Sequence, residues 1–194
     1  MTDFLYLTHP QVKVDPTVPV PRWGLSDLGR ERTCAFAARF DLSHYKRIIS
    51  STEEKALQTA AILARALGLA VEVREGMEEN DRSATGYLPE SAFQAMADAF
   101  FARPLESVAG WERAVDAQAR IVAAITAALL EVREDRQVPV IFVGHGGVGT
   151  LLLCHLAGYP ISRAHDQPPV GGGCWFRATA EGRVDRWRTM EEAA

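Results

Sequence analysis

At 194 residues the chain is long enough for one sizeable core and too short for two full domains of ordinary size. Its hydrophobic share of 47% and charged share of 24% are those of an ordinary globular protein. A formal charge of −4, with no dense Lys/Arg run, speaks against a nucleic-acid or membrane partner, and no apolar run approaches the roughly 18 residues needed to span a bilayer.

The first element is an apolar run ending in a histidine, Phe4-Leu5-Tyr6-Leu7-Thr8-His9-Pro10, which reads as a buried strand of a parallel sheet. A polar, Pro-rich loop runs from 10 to 24. Ser26 is expected to cap a helix reaching about Phe40, with Asp27 in its first turn. Arg47-Ile48-Ile49-Ser50 reads as a second strand. Ser51 or Thr52 then caps a helix whose Ala56, Ala60, Leu63 and Leu67 recur at helical spacing, and Gly68 ends it. Leu69 to Val73 is a third strand. Residues 76–105 are the least regular, with one helix expected from Glu90 to Phe101. A long helix follows from about Gly110 to Arg133, with Trp111, Val115, Val122, Ile125 and Leu129 on one face. The run Val138 to Gly144 leads to His145 as another buried strand, followed by a helix from Val148 to about Ala157. Trp175-Phe176-Arg177 and Val184-Asp185-Arg186-Trp187 read as two edge strands. This alternation predicts a mainly parallel α/β sandwich. Cys34, Cys154 and Cys174 stand far apart and read as buried free thiols of a reducing compartment. Met1-Thr2-Asp3-Phe4 has neither the basic stretch nor the apolar core of a signal peptide, so a cytoplasmic location is expected.

His9 and His145 each end a predicted strand, and in an open α/β sheet the functional crevice lies outside the carboxyl ends of the strands. The pair therefore suggests one shared site. Ser50-Ser51, at another strand end opening a helix, offers N–H groups for an anion or simply a helix cap. Lys55 stands in the first turn of that helix, where a cation is unfavourable for the helix dipole but can reach the same crevice. The turn Gly144-His145-Gly146-Gly147-Val148-Gly149 lets backbone approach a ligand, and it matches the G-x-G-x-x-G pattern of dinucleotide sites. No later strand ends in an acidic residue at the distance that reading needs. His9, His44, His145, His155 and His165 fit no usual zinc spacing, and no metal or cofactor is expected.

These segments, in order, resemble the histidine phosphatase superfamily, the phosphoglycerate mutase-like proteins. Thr8-His9-Pro10 stands at the family's Arg-His-Gly, and Leu25-Ser26-Asp27-Leu28-Gly29 is similar to its Leu-Thr-x-x-Gly helix start. Ser50 to Ala60 looks like its Ser-Ser-Pro-x-x-Arg-Ala-x-Gln-Thr-Ala segment. Met77-Glu78-Glu79 stands where its acid follows the next strand, and Gly144-His145-Gly146-Gly147 matches its closing His-Gly-Gly. The resemblance implies a three-layer α/β/α sandwich in one domain, 1–194, with residues 76–111 as a small inserted cap that sets substrate specificity. It implies a metal-independent phosphatase that works on a small phosphomonoester through phospho-His9. His145 would donate to the equatorial oxygens, and Glu79, with Glu78 as rival, would serve as general acid and base. Thr8, Ser50, Lys55, Arg82 and Gly146 would hold phosphate. The expected partners are a small phosphorylated substrate or inorganic phosphate, and Phe93, Phe100, Phe101 and Trp111 offer aromatic surface for a cap or a homodimer contact.

The chain departs from the pattern at both pocket arginines, where Thr8 and Lys55 stand instead. Lys55 keeps the charge without the planar bidentate fork, and Thr8 keeps only a hydroxyl. Pro10 fixes φ and removes an N–H beside the nucleophile. Arg22, Asn80, Arg82 and Arg163 are the candidates to replace the lost donors, Arg82 first because it follows the acid closely. The alternative function is a catalytically weak or inactive member that binds an anionic ligand or a protein partner.

Overall fold

The structure, a computed structural model, describes residues 3–134 (backbone only at 132–134) and 138–192. Its strands are β1 (Asp3–Thr8), β2 (Arg47–Ser50), β3 (Val71–Val73), β4 (Val140–Gly144), β5 (Cys174–Thr179) and β6 (Arg188–Thr189). Its helices are α1 (Asp27–Arg39), α2 (Glu54–Leu67), α3 (Glu90–Ala102), α4 (Ala114–Glu134) and α5 (Gly146–Ala157). The six strands form one sheet in the order β3-β2-β4-β1-β5-β6, with the first four parallel and the last two antiparallel.

The two central strands are buried along nearly their whole length, which is why they read as continuous apolar runs. Alternation still sorts their side chains between two cores. Phe4, Tyr6 and Phe142 face α4 and α5, where Ile121, Ile125, Leu151 and Leu152 meet them. Leu5, Leu7, Ile141 and Val143 face α1 and α2, against Phe36, Phe40, Ala56, Ala60 and Leu63. The result is the expected three-layer α/β/α arrangement.

The register of the parallel strands arranges the site. Thr8 of β1 pairs with Gly144 of β4, so the next residues, His9 and His145, leave the sheet side by side. Ser50 of β2 pairs with Val143, which places Ser51 one step behind His145. α5 lies very close to β1: a Cβ on Gly144 would meet the Tyr6 hydroxyl at 2.3 Å, and one on Gly149 would meet the Tyr6 ring at 2.6 Å and Trp187 at 3.1 Å. Two glycines of the G-x-G-x-x-G match therefore make room for Tyr6 rather than for a dinucleotide.

Several boundaries differ from expectation. α2 starts at Glu54 with Glu53 as its cap residue, instead of Ser51 or Thr52, and no side chain caps it. The Glu53 carboxylate is engaged elsewhere. β3 is shorter than Leu69 to Val73. α4 begins at Ala114, after a 3-10 turn at Val108–Gly110, and its buried stripe runs through Ala114, Ala117, Ile121, Ile125 and Ala128. Val184 makes only an isolated bridge to Ala178, and the edge strand is Arg188–Thr189; β5 is an inner strand paired to β1. Cys34 is exposed, whereas Cys154 and Cys174 are buried, and all three are free. Phe100, Phe101 and Trp111 are buried in the main core, so these rings do not form surface for an oligomer contact.

The close packing of α5 onto Tyr6 makes a signed prediction. Ala is the better helix former, so Gly149→Ala would stabilise a freely exposed helix by up to about 1 kcal/mol. Here the added methyl collides with two rings, and urea denaturation should show a loss of about 1–3 kcal/mol.

Candidate active site

His9 follows the last residue of β1. Its N–H donates to Gly144 O (3.0 Å) and its carbonyl accepts from Gly173 N (3.0 Å), so its backbone is held from both sides. Gly171, Gly172 and Gly173 all have φ between 68° and 76°, and a Cβ on Gly172 would lie 2.2 Å from His9 O. This glycine run closes tightly against the histidine. The His9 ring contacts Pro10 O through Nδ1 at 2.8 Å. A carbonyl only accepts, so Nδ1 carries the proton and Nε2 keeps its lone pair. Burial, and next the Lys55 charge, lower the His9 pKa to about 4, so the ring is neutral at neutral pH.

His145 is wholly buried, and its ring lies 5.2 Å from that of His9, centroid to centroid. The Tyr6 hydroxyl donates to His145 O and accepts from His145 N, both at 3.1 Å. On the ring, Nε2 is 2.8 Å from Ser51 Oγ and 3.6 Å from Glu53 Oε1, while Nδ1 has no partner among the described residues. Burial holds its pKa well below the ordinary imidazole value, opposed by Glu53.

Glu53 is buried between three groups. It pairs with the Lys55 ammonium, accepts from Glu79 N at 2.8 Å and lies beside the His145 ring. Burial raises its pKa, but His145, Lys55 and these hydrogen bonds outweigh that and bring it to about 2, so it is ionised. Lys55 also donates to Val20 O at 3.1 Å. The buried lysine in the first turn of α2 is thus matched by a carboxylate two residues before it.

The Glu79 carboxylate sits at the start of α5, accepting from Gly147 N (3.1 Å), Val148 N (3.0 Å) and Asn80 N (3.2 Å). Gly149 N bonds to His145 O, which leaves the Gly146 N–H at that helix end. Glu78 points elsewhere, accepting from Thr52 Oγ1 and Gly76 N, with Arg120 beyond. Arg120 fixes this loop by donating to the carbonyls of Gly76, Glu78 and Glu79 while paired to Glu112.

The structure thus brings together His9, His145, Glu79, Lys55 and the α5 end. The other expected residues divide. Thr8 Oγ1 is spent on Gln167 Oε1 (2.8 Å) and the Cys174 backbone, and Ser50 Oγ on Ser51 O (2.9 Å). The Arg82 guanidinium lies 4.9 Å over Phe93 and 5.8 Å from Trp111, with no hydrogen-bond or ion-pair partner among the described residues, and its charge is felt by both histidines. Asn80 is buried with Nδ2 unpartnered. Arg22 is exposed, and Arg163 is occupied by Gln94 and Asp98. Among the described residues, no group of three or more His, Cys, Asp or Glu side chains could hold a metal ion.

Sequence reasoning missed Glu53, Tyr6, Gln167 and the role of Ser51. Gln167 packs so close to Gly146 that a Cβ there would meet its Nε2 at 2.3 Å, and a Cβ on Gly147 would meet Glu79 at 2.7 Å. Glu53 was not singled out, although Lys55 two residues on was placed at the crevice. Its one available signal was position, between a strand end and a helix start facing the crevice.

The family model described as histidine phosphatase superfamily (branch 1) matches residues 19–191. A mycobacterial glucosyl-3-phosphoglycerate phosphatase solved with inorganic phosphate is 24% identical, with a TM-score of 0.75, covering 97% of this chain and 95% of its own. Bacillus stearothermophilus YhfR is 20% identical, with a TM-score of 0.78 and coverage of 96% and 95%. The alpha-ribazole phosphatase from Shigella flexneri is 17% identical, with a TM-score of 0.70 and coverage of 98% and 96%. No curated protein sequence matches the chain. With a family match over most of its length and the same fold in these neighbours, the chain belongs to the histidine phosphatase superfamily.

Proposed function

We propose that the protein is a metal-independent phosphatase that acts on small phosphomonoesters through a phosphorylated His9. One observation carries this reading: two imidazoles lie 5.2 Å apart with His145 Nδ1 and Asn80 Nδ2 buried and unpartnered among the described residues, and the half-buried Arg82 guanidinium has no hydrogen-bond or ion-pair partner among them either. Buried polar groups are almost always paired, so unpaired donors around one crevice are the mark of an anion site. The solved neighbours described as phosphatases support the same reaction class.

In the first step the His9 Nε2 lone pair forms the N–P bond as the P–O bond to the leaving group breaks. Glu79 gives its proton to the departing oxygen. In the second step water attacks the phosphohistidine, Glu79 takes the proton from that water, and phosphate leaves with the His9 ring neutral again. His145 Nδ1, Asn80 Nδ2, Arg82 and Gly146 N stabilise the charge on the three equatorial oxygens. Arg82, stacked on Phe93 and Trp111, is held in place before substrate arrives and takes over part of the work of the two absent arginines. Residues 76–111 carry Glu79, Arg82 and these two rings, in keeping with a role in specificity.

The second reading, a weak or inactive member that binds an anion, is favoured by two observations. Lys55 is tied to Glu53, and the Thr8 hydroxyl is spent within the fold. Assay of an aryl phosphate in the presence of a chelator separates the two. The enzyme reading expects turnover that His9→Ala abolishes, whereas no turnover across a broad phosphomonoester panel sinks it.

Two further outcomes are expected. Arg82→Ala removes a hydrogen bond to a charged group, about 1.5–3 kcal/mol, so kcat/KM should fall about tenfold to a hundredfold with little change in melting temperature. The pH profile of kcat/KM reports the free protein, in which protonation of His9 removes the nucleophile. Because its pKa is lowered from 6.5 to about 4, activity should persist on acidification and its acid limb should lie near 4. An acid limb at the ordinary imidazole value would contradict this.

A further inference from the structure

Glu53 has no part in the mechanism above, yet it is the carboxylate that touches most of it. It contacts Lys55, the backbone of Glu79 and, at 3.6 Å, Nε2 of His145. A buried acid beside a phosphate site is costly for an anionic ligand unless something offsets it. Lys55, the one cation retained near the position of a lost arginine, is already neutralised by this acid.

The groups facing the His145 ring can be taken element by element. From the end of β1 come the Tyr6 hydroxyl and His9, and from the start of α2 come Ser51, Glu53 and Lys55. From the loop after β3 come Glu79, at the adjoining end of α5, and Arg82. Of these, Lys55 and Glu53 form an ion pair. The ring itself is asymmetric: Nε2 faces Ser51 and Glu53, and Nδ1 is buried with no partner among the described residues.

We propose that Glu53 is a positioning residue that makes anion binding take up a proton on His145, so that an imidazolium supplies the charge the absent arginines do not. The inference rests on the reading of His145 as a phosphate donor. With a tetrahedral dianion at Nδ1 and Glu53 at Nε2, the ring lies between two negative groups, and both nitrogens become donors. Ser51 Oγ accepts from Nε2 and the ligand accepts from Nδ1. The proton comes from solvent on binding and returns when the anion leaves.

Sulfate is the probe, because it is a tetrahedral dianion that does not titrate in the range where imidazole does. Any proton taken up then goes to the protein. Calorimetric titration at neutral pH in two buffers of different ionisation enthalpy counts that proton. The wild type should take up about one proton per sulfate, with Kd weakening by up to about tenfold per pH unit on the alkaline side. Glu53→Gln keeps the shape and frees Lys55, so it should bind sulfate at least as well at high pH but lose most of the uptake. Sulfate binding to the wild type without uptake, or undiminished uptake in Glu53→Gln, overturns the proposal. Should that variant not fold, His145→Gln carries the test: uptake that persists there places the proton elsewhere and equally overturns it. Absence of both sulfate and phosphate binding by the wild type overturns the proposed function as well, whereas binding without a proton overturns the role of Glu53 alone.

Discussion

The hydroxyl of Tyr6 is the interaction on which the rest of the site depends. A single oxygen satisfies both the N–H and the carbonyl of His145, at the one residue between the end of β4 and the start of α5. Without it the buried His145 N–H would lack a partner, at a cost of about 1–3 kcal/mol, and the carbonyl would keep only Gly149 N. Burial pushes the phenol pKa up, so the group stays protonated and can donate. The packing around it follows from the same constraint. Gly144 and Gly149 leave space for the ring, Phe176 stacks on it at 5.3 Å, and Trp187 meets it edge-on.

From that point the parallel register does the positioning. Neighbouring parallel strands end on the same side of the sheet, so each strand end contributes at nearly the same level. β1 gives His9, β4 gives His145, β2 gives Ser51 and then Glu53, and the turn after β3 gives Glu79. Loops place the remaining groups, and Arg120 on α4 holds the Glu79 loop through three carbonyls. Most groups of the candidate site therefore stand at strand ends, while Arg82 stands on a longer segment braced by aromatic rings.

The sequence was most legible where one physical requirement dominated. β2 matched residue for residue, and β1 and β4 nearly so, because strands buried on both faces must be apolar throughout. The histidines ending β1 and β4 were legible for the same reason. The α4 face was legible at Ile125 and Leu129, with Val122 against the same core, but Ala114, Ala117 and Ala128 of its buried stripe were missed because alanine gives a weak periodic signal. The glycine turn was ambiguous because glycine records close approach without naming the partner; here the partners are Tyr6, Gln167 and Glu79. Glu53 was not legible because nothing in its spacing gives it a role, and it is tertiary contact with Lys55 and His145 that shows one.

The internal pairing of charges also bears on how a ligand arrives. Phosphate sites are commonly bordered by unpaired cations whose field extends into solvent and draws anions inward. In this chain Lys55 is cancelled by Glu53 at contact distance, and the whole chain carries −4. Arg82 is then the cation left without an ion-pair partner among the described residues, so under the proposed function long-range attraction for an anion would be weaker than at a site with several free cations, and less sensitive to ionic strength. Under the proposed function, selection would fall mainly to short-range donors met after contact. A site of that kind would discriminate more by fit than by charge at a distance.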